Sequence, residues 1–439
     1  MKRLPAGIIS TLLSLTMTLT PCSMSALAAQ ENSRDFSLFF SGPGVAALSS
    51  GDEYSEYQWA LNNTGRLRRT EKVLNIKTLD HIYLHYGENG IDDIALPPLG
   101  PDNFESINTD AVANIDINIE DAWKTYSETE NKRTVTVAII DTGIDTTHSD
   151  LKDSIWVNED EIPGDSIDND GNGYVDDVNG WNFVSNSNEI CTGEEDSHGT
   201  HGAGTIAAAW NNGDTVLINI GGHIVGSSLG GIAGITDSTH VKLMVLKALG
   251  GSEGKGSPES VIEAIKYAEA NGADICNLSF GSSNCTPEFE AAIRDSKMLF
   301  VVAAGNGNQY QIGYDIDKSP VYPASLPYDN VITVGNLLFN GHLDESSNYG
   351  ATSVDLAAPG TYILSTIPGD SYAYMSGTSM AAPMVTGAAA LIYSARTDLS
   401  LQDIKTAILS TVHKLAPLKG KTATGGMLDV SAAIKWTKN

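Results

Sequence analysis

Apolar runs alternate with helical patterns from residue 135 onward. Continuous apolar runs are typical of strands that are covered on both faces of a sheet; they are VTVAII (135–140), VKLMVLKAL (241–249), ADICNLSF (273–280), MLFVVAA (298–304) and NVITVG (330–335). Between them, residues 257–272 and 287–296 place apolar side chains at helical spacing, and Gly272 stands where a glycine ends a helix. The alternation predicts a doubly wound α/β fold, with a mostly parallel sheet and helices on both faces.

The N-terminus has the pattern of a secretory signal peptide over residues 1–28. Lys2 and Arg3 precede an apolar run over residues 6–19, and Ala-Leu-Ala at 26–28 fits a cleavage site. The run is short for a membrane span. We therefore expect a secreted, extracellular protein with no membrane anchor once the signal is removed.

The remaining sequence divides into two regions. Residues 29–115 have weaker periodicity and more turn signals, and we interpret them as an N-terminal extension or a propeptide. Residues 116–439 carry the α/β pattern and close with GGMLDVSAAIKW, which predicts a short strand and a helix. The main domain is therefore expected over residues 116–439.

Composition and charge narrow the possible partners. The 439 residues have an ordinary hydrophobic share of 41% and a formal net charge of −28. Such a charge argues against binding nucleic acid through its phosphates, because the two would repel each other. We expect a well-hydrated monomer. Without the signal segment, Cys191, Cys276 and Cys285 remain; their odd number leaves at least one thiol unpaired in a monomer, and no pair has zinc-like spacing.

Three segments carry candidate catalytic side chains. VAIIDTGID places Asp141 at the carboxyl end of a predicted parallel strand, where sites gather in open α/β sheets. EDSHGTHGAGTIAAA and MSGTSMAAP place His198 and Ser379 at the starts of two helices rich in small residues. Each residue alone has another explanation. Asp141 could be a turn residue, His198 could be a helix cap or a metal ligand together with His201, and Ser379 could be an N-cap. Together they supply a nucleophile, a base and a group that orients the base.

The order of these motifs, Asp-Thr-Gly, His-Gly-Thr-His and Gly-Thr-Ser-Met-Ala-Ala-Pro, resembles the subtilisin-like serine proteases, or subtilases. The resemblance covers about residues 115–439. It implies a serine endopeptidase that hydrolyses polypeptides through an acyl-enzyme and needs no organic cofactor. Ser379 would attack the scissile carbonyl, His198 would take its proton, and Asp141 would orient His198. In VVAAGN, Asn306 resembles the asparagine that donates to the oxyanion.

The resemblance also implies a substrate cleft. GKGS and NLSFG resemble the segments that pair with a peptide substrate as neighbouring strands. The predicted substrate-binding residues are Gly254, Gly256, Ser279, Phe280, Gly281, Ala303, Ala304 and Gly305. The floor of the pocket for the residue before the cleaved bond is expected from residues 307–320. There, Asp315 and Asp317 would favour a basic residue, whereas Lys318 would favour an acidic one.

An acidic insertion lies between the aspartate and histidine segments. In DSIDNDGNGYVDD (165–177), oxygen-bearing side chains alternate and a glycine follows, as at the start of an EF-hand-like loop. The match is partial, because Asn179 stands at the twelfth position in place of a glutamate. Some subtilases carry calcium in comparable loops; the alternative is an acidic turn without an ion. The predicted ligands of a structural calcium ion are Asp168, Asp170, Asn172, Tyr174, Asp176 and Asp177.

Some alternatives stay open on the sequence alone. QWALNNTG (58–65) resembles a stretch near the start of the protease domain in some subtilases, which would leave little room for a full propeptide. The chain could also be a dedicated processing protease for one precursor. A serine esterase would not need the peptide-pairing segments, and a silent binding protein on the same scaffold would not need Asp141, His198, Asn306 and Ser379.

Overall fold

Two compact units make up the part of the chain that can be described. A computed structural model of the protein describes residues 58–65, 111–210, 231–251, 254–308 and 311–438, and elsewhere only the strands named below. The smaller unit lies within residues 1–43 and 65–111, and the larger unit lies within residues 44–64 and 112–439. The apolar run and cleavage site of the predicted signal peptide lie outside the described residues.

Six described strands belong to the smaller unit: β1 Lys2–Leu4, β2 Ser37–Phe40, β3 Leu67–Leu74, β4 Ile82–Gly87, β5 Gly90–Ala95 and β6 Phe104–Asp110. They form two antiparallel sheets of three strands, in the orders β1-β4-β5 and β2-β3-β6. The described elements of this unit are therefore all antiparallel strands, unlike the α/β pattern that follows.

A nine-stranded sheet forms the centre of the larger unit. The strands of this unit are β7 Val135–Asp141, β8 Gly180–Asn182, β9 Thr215–Ile220, β10 His223–Leu229, β11 Val241–Lys247, β12 Ile275–Leu278, β13 Leu299–Ala303, β14 Val331–Leu337, β15 Leu356–Pro359, β16 Ile363–Ile367, β17 Ser371–Met375, β18 His413–Lys414 and β19 Gly426–Met427. The sheet order is β18-β19-β15-β14-β13-β12-β7-β11-β8, parallel throughout except for β18 with β19. Separate hairpins pair β9 with β10 and β16 with β17.

The helices of the larger unit are α1 Ile119–Glu128, α2 Ser197–Ala207, α3 Pro258–Ala270, α4 Pro287–Arg294, α5 Thr378–Ala395, α6 Leu401–Ser410 and α7 Val430–Ile434. Local sequence sets where they begin. At α3, the Ser257 hydroxyl accepts the Ser260 N–H, and Pro258 follows the cap. Helix α4 repeats this device with Thr286 and Pro287. No helix in the described part of the chain is long and apolar enough to cross a membrane.

The predicted α/β fold is confirmed. Each apolar run became a strand of the central sheet, and both helical patterns became helices. In β7 every residue except Thr136 is buried, because helices and strands cover this central strand on both sides. Gly272 adopts a φ of +76° just past α3, a conformation that glycine reaches without strain. The C-terminal GGMLDVSAAIKW forms β19 and α7 as predicted.

QWALNNTG packs inside the larger unit, although residues of the smaller unit separate it in sequence from the rest. Gln58 exchanges two hydrogen bonds of 2.8 Å with the backbone of Ala233, and Trp59 donates to the Thr361 carbonyl at 2.9 Å. Trp59 is only 4% exposed. Residues 58–64 therefore belong structurally to the α/β unit, and residues 65–111, whose described elements are strands, are inserted between two of its parts.

Candidate active site

The carboxyl end of β7 and the N-terminus of α2 bring Asp141 and His198 together. The His198 Nδ1 lies 2.8 Å from the Asp141 Oδ1, and the Asp141 side chain is only 3% exposed. Helix α2 approaches this closely because Gly199 has no side chain. A Cβ at position 199 would lie 2.2 Å from the Gly143 carbonyl oxygen. The small-residue pattern around His198 thus serves close packing.

The two histidines of His-Gly-Thr-His have different environments. The charge of Asp141 and its hydrogen bond outweigh burial and raise the pKa of His198 above its usual value. His201 is fully buried, and its Nε2 lies 2.9 Å from the Ile363 carbonyl oxygen. Burial lowers the pKa of His201 to about 4. His201 is therefore neutral at neutral pH and holds the β16–β17 hairpin.

Ser379 is the second residue of α5. Its hydroxyl donates to the Ser279 carbonyl oxygen at 2.9 Å, and the Ser279 hydroxyl donates to the Ser379 carbonyl oxygen at 3.0 Å. Among the described residues, no hydrogen bond joins Ser379 to His198. Helices α2 and α5 nevertheless pack together: a Cβ at position 202 would lie 3.6 Å from Pro383. His198 and Ser379 each precede that contact by about one helical turn.

Asn306 is oriented by the residue before the serine. Its Oδ1 accepts the Thr378 N–H at 2.8 Å and the Thr378 hydroxyl at 2.9 Å. The amide therefore keeps its Nδ2 as the end that can donate to a ligand. Gly377, the N-cap of α5, has a φ of +148°, and a Cβ there would lie 3.0 Å from this Nδ2. Glycine at position 377 leaves the amide room.

A pocket of about 310 Å³ opens beside Ser379 and Asn306. It is lined by Ser279, Phe280, Gly281, Ser282, Ser283, Ala303, Gly305, Asn306, Gly307, Tyr314, Val321, Asn348, Thr378 and Ser379. Five of the predicted cleft residues are in this wall. Ala304 is fully buried, and its carbonyl accepts the Asn348 amide at 2.9 Å. Gly254 and Gly256 lie outside this wall. Gly254 is in the turn where Gly250 pairs with Lys255, and Gly256 directly follows that turn.

No charged residue lines this pocket among the residues that the structure describes. Asp315 pairs with Lys318 at 2.7 Å. Asp317 accepts the backbone N–H groups of Thr352 and Ser353 at 3.1 and 2.8 Å. Both carboxylates are thus engaged elsewhere, and Tyr314 and Val321 lie in the wall instead.

The acidic insertion gathers carboxylates as an oxygen-rich cluster. Ligand atoms of Glu161, Asp168 and Asp170 lie within 4.8 Å of one another. Backbone N–H groups, foremost that of Gly173, lower the pKa of Asp168, so this carboxyl stays ionised. A set of hard oxygen donors without sulfur or nitrogen suits calcium better than zinc.

The other predicted calcium ligands lie around this cluster in different roles. Asn172 donates from its amide to Asp170 at 2.9 Å. The Asp176 carboxylate accepts the N–H groups of Gly164 and Ser166. Asp177 is fully buried and accepts the Tyr267 hydroxyl at 2.5 Å. The ring of Tyr174 packs edge-on against Tyr267 at 5.0 Å between centroids.

All three cysteines of the larger unit are free. Cys276 is buried, and Cys191 and Cys285 are half-buried. Burial raises the pKa of the Cys191 thiol to about 11. These thiols therefore form no disulfide cross-link in the larger unit, and they present no reactive thiolate at neutral pH.

One class of serine hydrolases carries its aspartate, histidine and serine in this chain order on a parallel α/β sheet. Here the aspartate and histidine form a pair, and the serine lies at a helix N-terminus. The profile of the Subtilase family matches residues 132–427. The chain belongs to the subtilase family.

Curated relatives carry the names of serine proteases. "Subtilisin-like protease 1" of Plasmodium berghei is 33% identical over 323 residues, which cover 70% of this chain and 50% of that protein. The "Major intracellular serine protease" of Bacillus subtilis is 37% identical and covers 60% of this chain and 69% of its own length. "Subtilisin DY" of Bacillus licheniformis is 33% identical over 310 residues, which cover 69% of this chain and 91% of that protein. The chain spans about half the length of its Plasmodium relatives.

A solved structure supports the fold. The crystal structure of a cold-adapted subtilisin-like serine proteinase superimposes with a TM-score of 0.50 at 24% identity. It covers 69% of this chain and 91% of its own chain. The α/β architecture is therefore that of the subtilisin fold.

Sequence patterns did not single out several residues of the site. Glu161 ends the acidic run at residues 159–161, seven positions before Asp168 and outside the EF-hand-like motif, so no motif marks it. Thr378 precedes Ser379 directly, and this position was the one feature of the sequence that could have indicated that Thr378 orients Asn306. Tyr314 was inside the predicted floor region, but alternation could not show which side chain points inward.

Proposed function

We propose that the protein is a secreted serine endopeptidase with Asp141, His198 and Ser379 as its catalytic residues. The observation that carries the proposal is the 2.8 Å contact between Asp141 and His198, on a helix that packs against the one bearing Ser379. The predicted signal peptide supports secretion. Monomeric action on polypeptides, with no membrane anchor and no organic cofactor, is part of the same proposal.

The reaction follows from what each group can do. Ser379 adds to the scissile carbonyl as His198 accepts the hydroxyl proton, and the acyl-enzyme forms when His198 returns that proton to the leaving amine. Asp141 accepts the Nδ1–H of His198 and stabilises the imidazolium. The serine hydroxyl must first leave the Ser279 carbonyl. Hydrogen bonds of this kind are often loose in free enzymes and form with substrate bound.

The oxyanion is assigned to two donors beside the pocket. These are the Asn306 Nδ2 and the backbone N–H of Ser379, at the positive end of the α5 dipole. The Gly377 cap has no side chain to occupy this helix end. The Thr378 N–H donates to Asn306 and the Met380 N–H donates to the Gly377 carbonyl, which leaves the Ser379 N–H for a ligand. Such donors act most strongly in a site that excludes water.

Hydrolysis is tested directly with casein and a fluorophosphonate probe. The purified protein should degrade casein, and the probe should label one residue. A protein that cleaves neither casein nor small peptides and takes up no probe would contradict the proposal. Cleavage of a single precursor only would favour the dedicated processing protease.

The pocket predicts a preference for an uncharged side chain before the cleaved bond. An ion entering a wall without opposite charge loses hydration that nothing replaces. We expect kcat/KM for phenylalanine or leucine there to exceed that for lysine or glutamate by at least tenfold, as measured with matched peptides. Tyr314→Asp should raise kcat/KM for the lysine peptide, whereas Asp315→Asn, at a residue that does not line the pocket, should not. Equal rates for all four peptides would refute this assignment.

The acidic cluster is proposed as a structural calcium site held by Glu161, Asp168 and Asp170. Bound calcium would neutralise carboxylates that otherwise repel one another in the loop between Asp141 and His198. An ion that binds only the folded state at a hundredfold excess over its Kd stabilises it by about 2.7 kcal/mol. We expect a chelator to lower the melting temperature and speed self-digestion, and calcium to restore both.

A double variant checks the calcium ligands. Asp168→Ala with Asp170→Ala should melt early and respond to neither chelator nor calcium. Asp160→Ala, at an acidic position outside the cluster, should behave like the wild type. Identical melting of the wild type with and without chelator, after thorough metal stripping, would leave the loop as an acidic turn.

The packing of QWALNNTG supports one division of the chain into domains. We propose that residues 1–28 are a signal peptide and that residues 116–439 hold the peptidase domain. Residues 58–64 supply buried parts of that same domain, and removal of everything before residue 116 would expose the surface that Trp59 covers. We therefore favour an inserted extension over a removable propeptide for residues 65–111. N-terminal sequencing of the mature enzyme tests this.

A further inference from the structure

A buried ammonium group lies behind the aspartate–histidine pair. Lys247 is the last residue of β11 and stands opposite Asp141 in the parallel ladder with β7. Only 2% of its side chain is exposed. The following N–H groups, those of Ala248 and Leu249, donate to the Asp141 carbonyl oxygen at 3.0 and 3.1 Å. The strand that carries Lys247 is thus joined to the backbone of the catalytic aspartate.

The ammonium has partners on two further segments. It lies 2.5 Å from the Asp196 Oδ1 and 3.0 Å from the Glu195 Oε1, and it donates to the Thr142 carbonyl oxygen. Asp196 is fully buried. Its other oxygen accepts the N–H groups of Thr192 and Gly193. Lys247 and Asp196 therefore form a buried, fully hydrogen-bonded ion pair.

The partners of Lys247 lie next to the two residues of the aspartate–histidine pair. Thr142 directly follows Asp141, and Asp196 is the N-cap of α2, two residues before His198. The segments meet so closely that a Cβ on Gly143 would lie 2.5 Å from the Asp196 Oδ1. We propose that Lys247 and Asp196 are positioning residues that set the contact between Asp141 and His198. The inference rests on the proposed function for its kinetic part only.

A buried ion pair that loses one partner leaves an uncompensated charge, which must gain water or move. Either response separates the turn after Asp141 from the start of α2. Misplacement of a catalytic group by about 1 Å can lower the rate about 100-fold. Neither Lys247 nor Asp196 lines the substrate pocket. Their loss should therefore lower kcat and leave KM unchanged.

The test compares Lys247→Met, Asp196→Asn and the double variant in the full-length protein. We expect each single variant to lower kcat for a peptide substrate at least tenfold with KM unchanged. The double variant should recover part of that loss, because it leaves no buried charge unpaired; the Glu195 carboxylate, which also contacts Lys247, is partly exposed to water. Lys242→Met is the matched control: Lys242 lies on the same strand, and among the described residues its ammonium donates to the carbonyl groups of Asp153 and Ser238 and to no carboxylate.

A spectroscopic readout separates positioning from mere stability. In the Ser379→Ala background, which does not digest itself, proton NMR should detect the hydrogen of the Asp141–His198 bond. Asp196→Asn, which keeps the shape of the side chain, should shift or broaden that signal, and Lys242→Met should not. An unmoved signal, an unchanged kcat in Asp196→Asn, or equal losses in kcat for Lys247→Met and Lys242→Met would each overturn the proposal. If the wild type hydrolyses no peptide, the proposed function fails, while this NMR signal still tests the pair.

Discussion

Replacing Ser379 with alanine should lower turnover about 10⁶-fold, the loss that removal of the nucleophile causes in subtilisin. Alanine deletes one oxygen and keeps the helix. The wall around position 379 accepts the smaller side chain, and only the hydrogen bond to the Ser279 carbonyl disappears. Melting temperature should therefore change little. The measurement is steady-state hydrolysis of a peptide amide, with fluorophosphonate labelling of the same preparations.

Ser376 supplies the control for this prediction. It lies three residues earlier, is exposed, and its hydroxyl accepts the Tyr362 N–H at 2.9 Å. Ser376→Ala should keep both hydrolysis and labelling. Labelling of Ser379→Ala at the wild-type rate would mean that another residue is the nucleophile. Residual activity far above the spontaneous rate would then have to be mapped to that residue.

The strands and the order of the site motifs could be predicted because their signals are local. A central parallel strand is buried on both faces, so VTVAII is apolar throughout and β7 could be located within one residue. Its carboxyl end then placed Asp141 at the edge of the sheet where the site lies. The glycines beside His198 and Ser379 also had a local cause, since they allow close backbone approach.

Side-chain direction and long-range pairing were beyond the sequence. The pocket floor could have carried Asp315, Asp317 or Lys318, but pairing between neighbours and bonds to residues 352 and 353 turned them elsewhere. Glu161 reaches the acidic cluster from outside the loop motif. In the sequence, Lys247 is one polar residue at the end of an apolar strand. Its partner Asp196 lies 51 residues earlier, and no local pattern links the two residues.

The insertion of residues 65–111 has the same explanation. Weak periodicity and turn signals marked residues 29–115 as an N-terminal extension or a propeptide. The resemblance of QWALNNTG to the start of some protease domains left open whether part of this region belongs to the later fold. Trp59 packs edge-on against Phe339 at 5.9 Å between ring centroids. That contact joins residues 280 positions apart, and no pattern in either segment encodes it.

Replacing His198 with alanine should also lower turnover about 10⁶-fold, because Ser379 then has no base. His201→Ala is the matched control, since both residues lie on α2 and one helical turn separates them. His201 is buried and bonded to the Ile363 carbonyl, so its loss should lower the melting temperature and leave substantial activity. The opposite result, an active His198→Ala and an inert His201→Ala, would assign the base to His201.

The pH dependence separates the two histidines a second time. His198 must be neutral to accept a proton, and its pKa is raised by Asp141, so kcat/KM should fall as pH falls through a value above 6.5. His201 has the opposite shift, to about 4 in the folded protein. Between 6.5 and about 4 the unfolded chain binds a proton at this site that the folded chain does not, so stability should be lost as pH falls across that window.

The fall in activity should therefore lie at higher pH than the loss of stability that His201 causes. His201→Ala should flatten the pH dependence of stability without moving the pH dependence of activity. Stopped assays of kcat/KM and thermal melts, both from pH 4 to pH 9, measure the two dependences. A pH dependence of activity that moves in His201→Ala would contradict this assignment of roles.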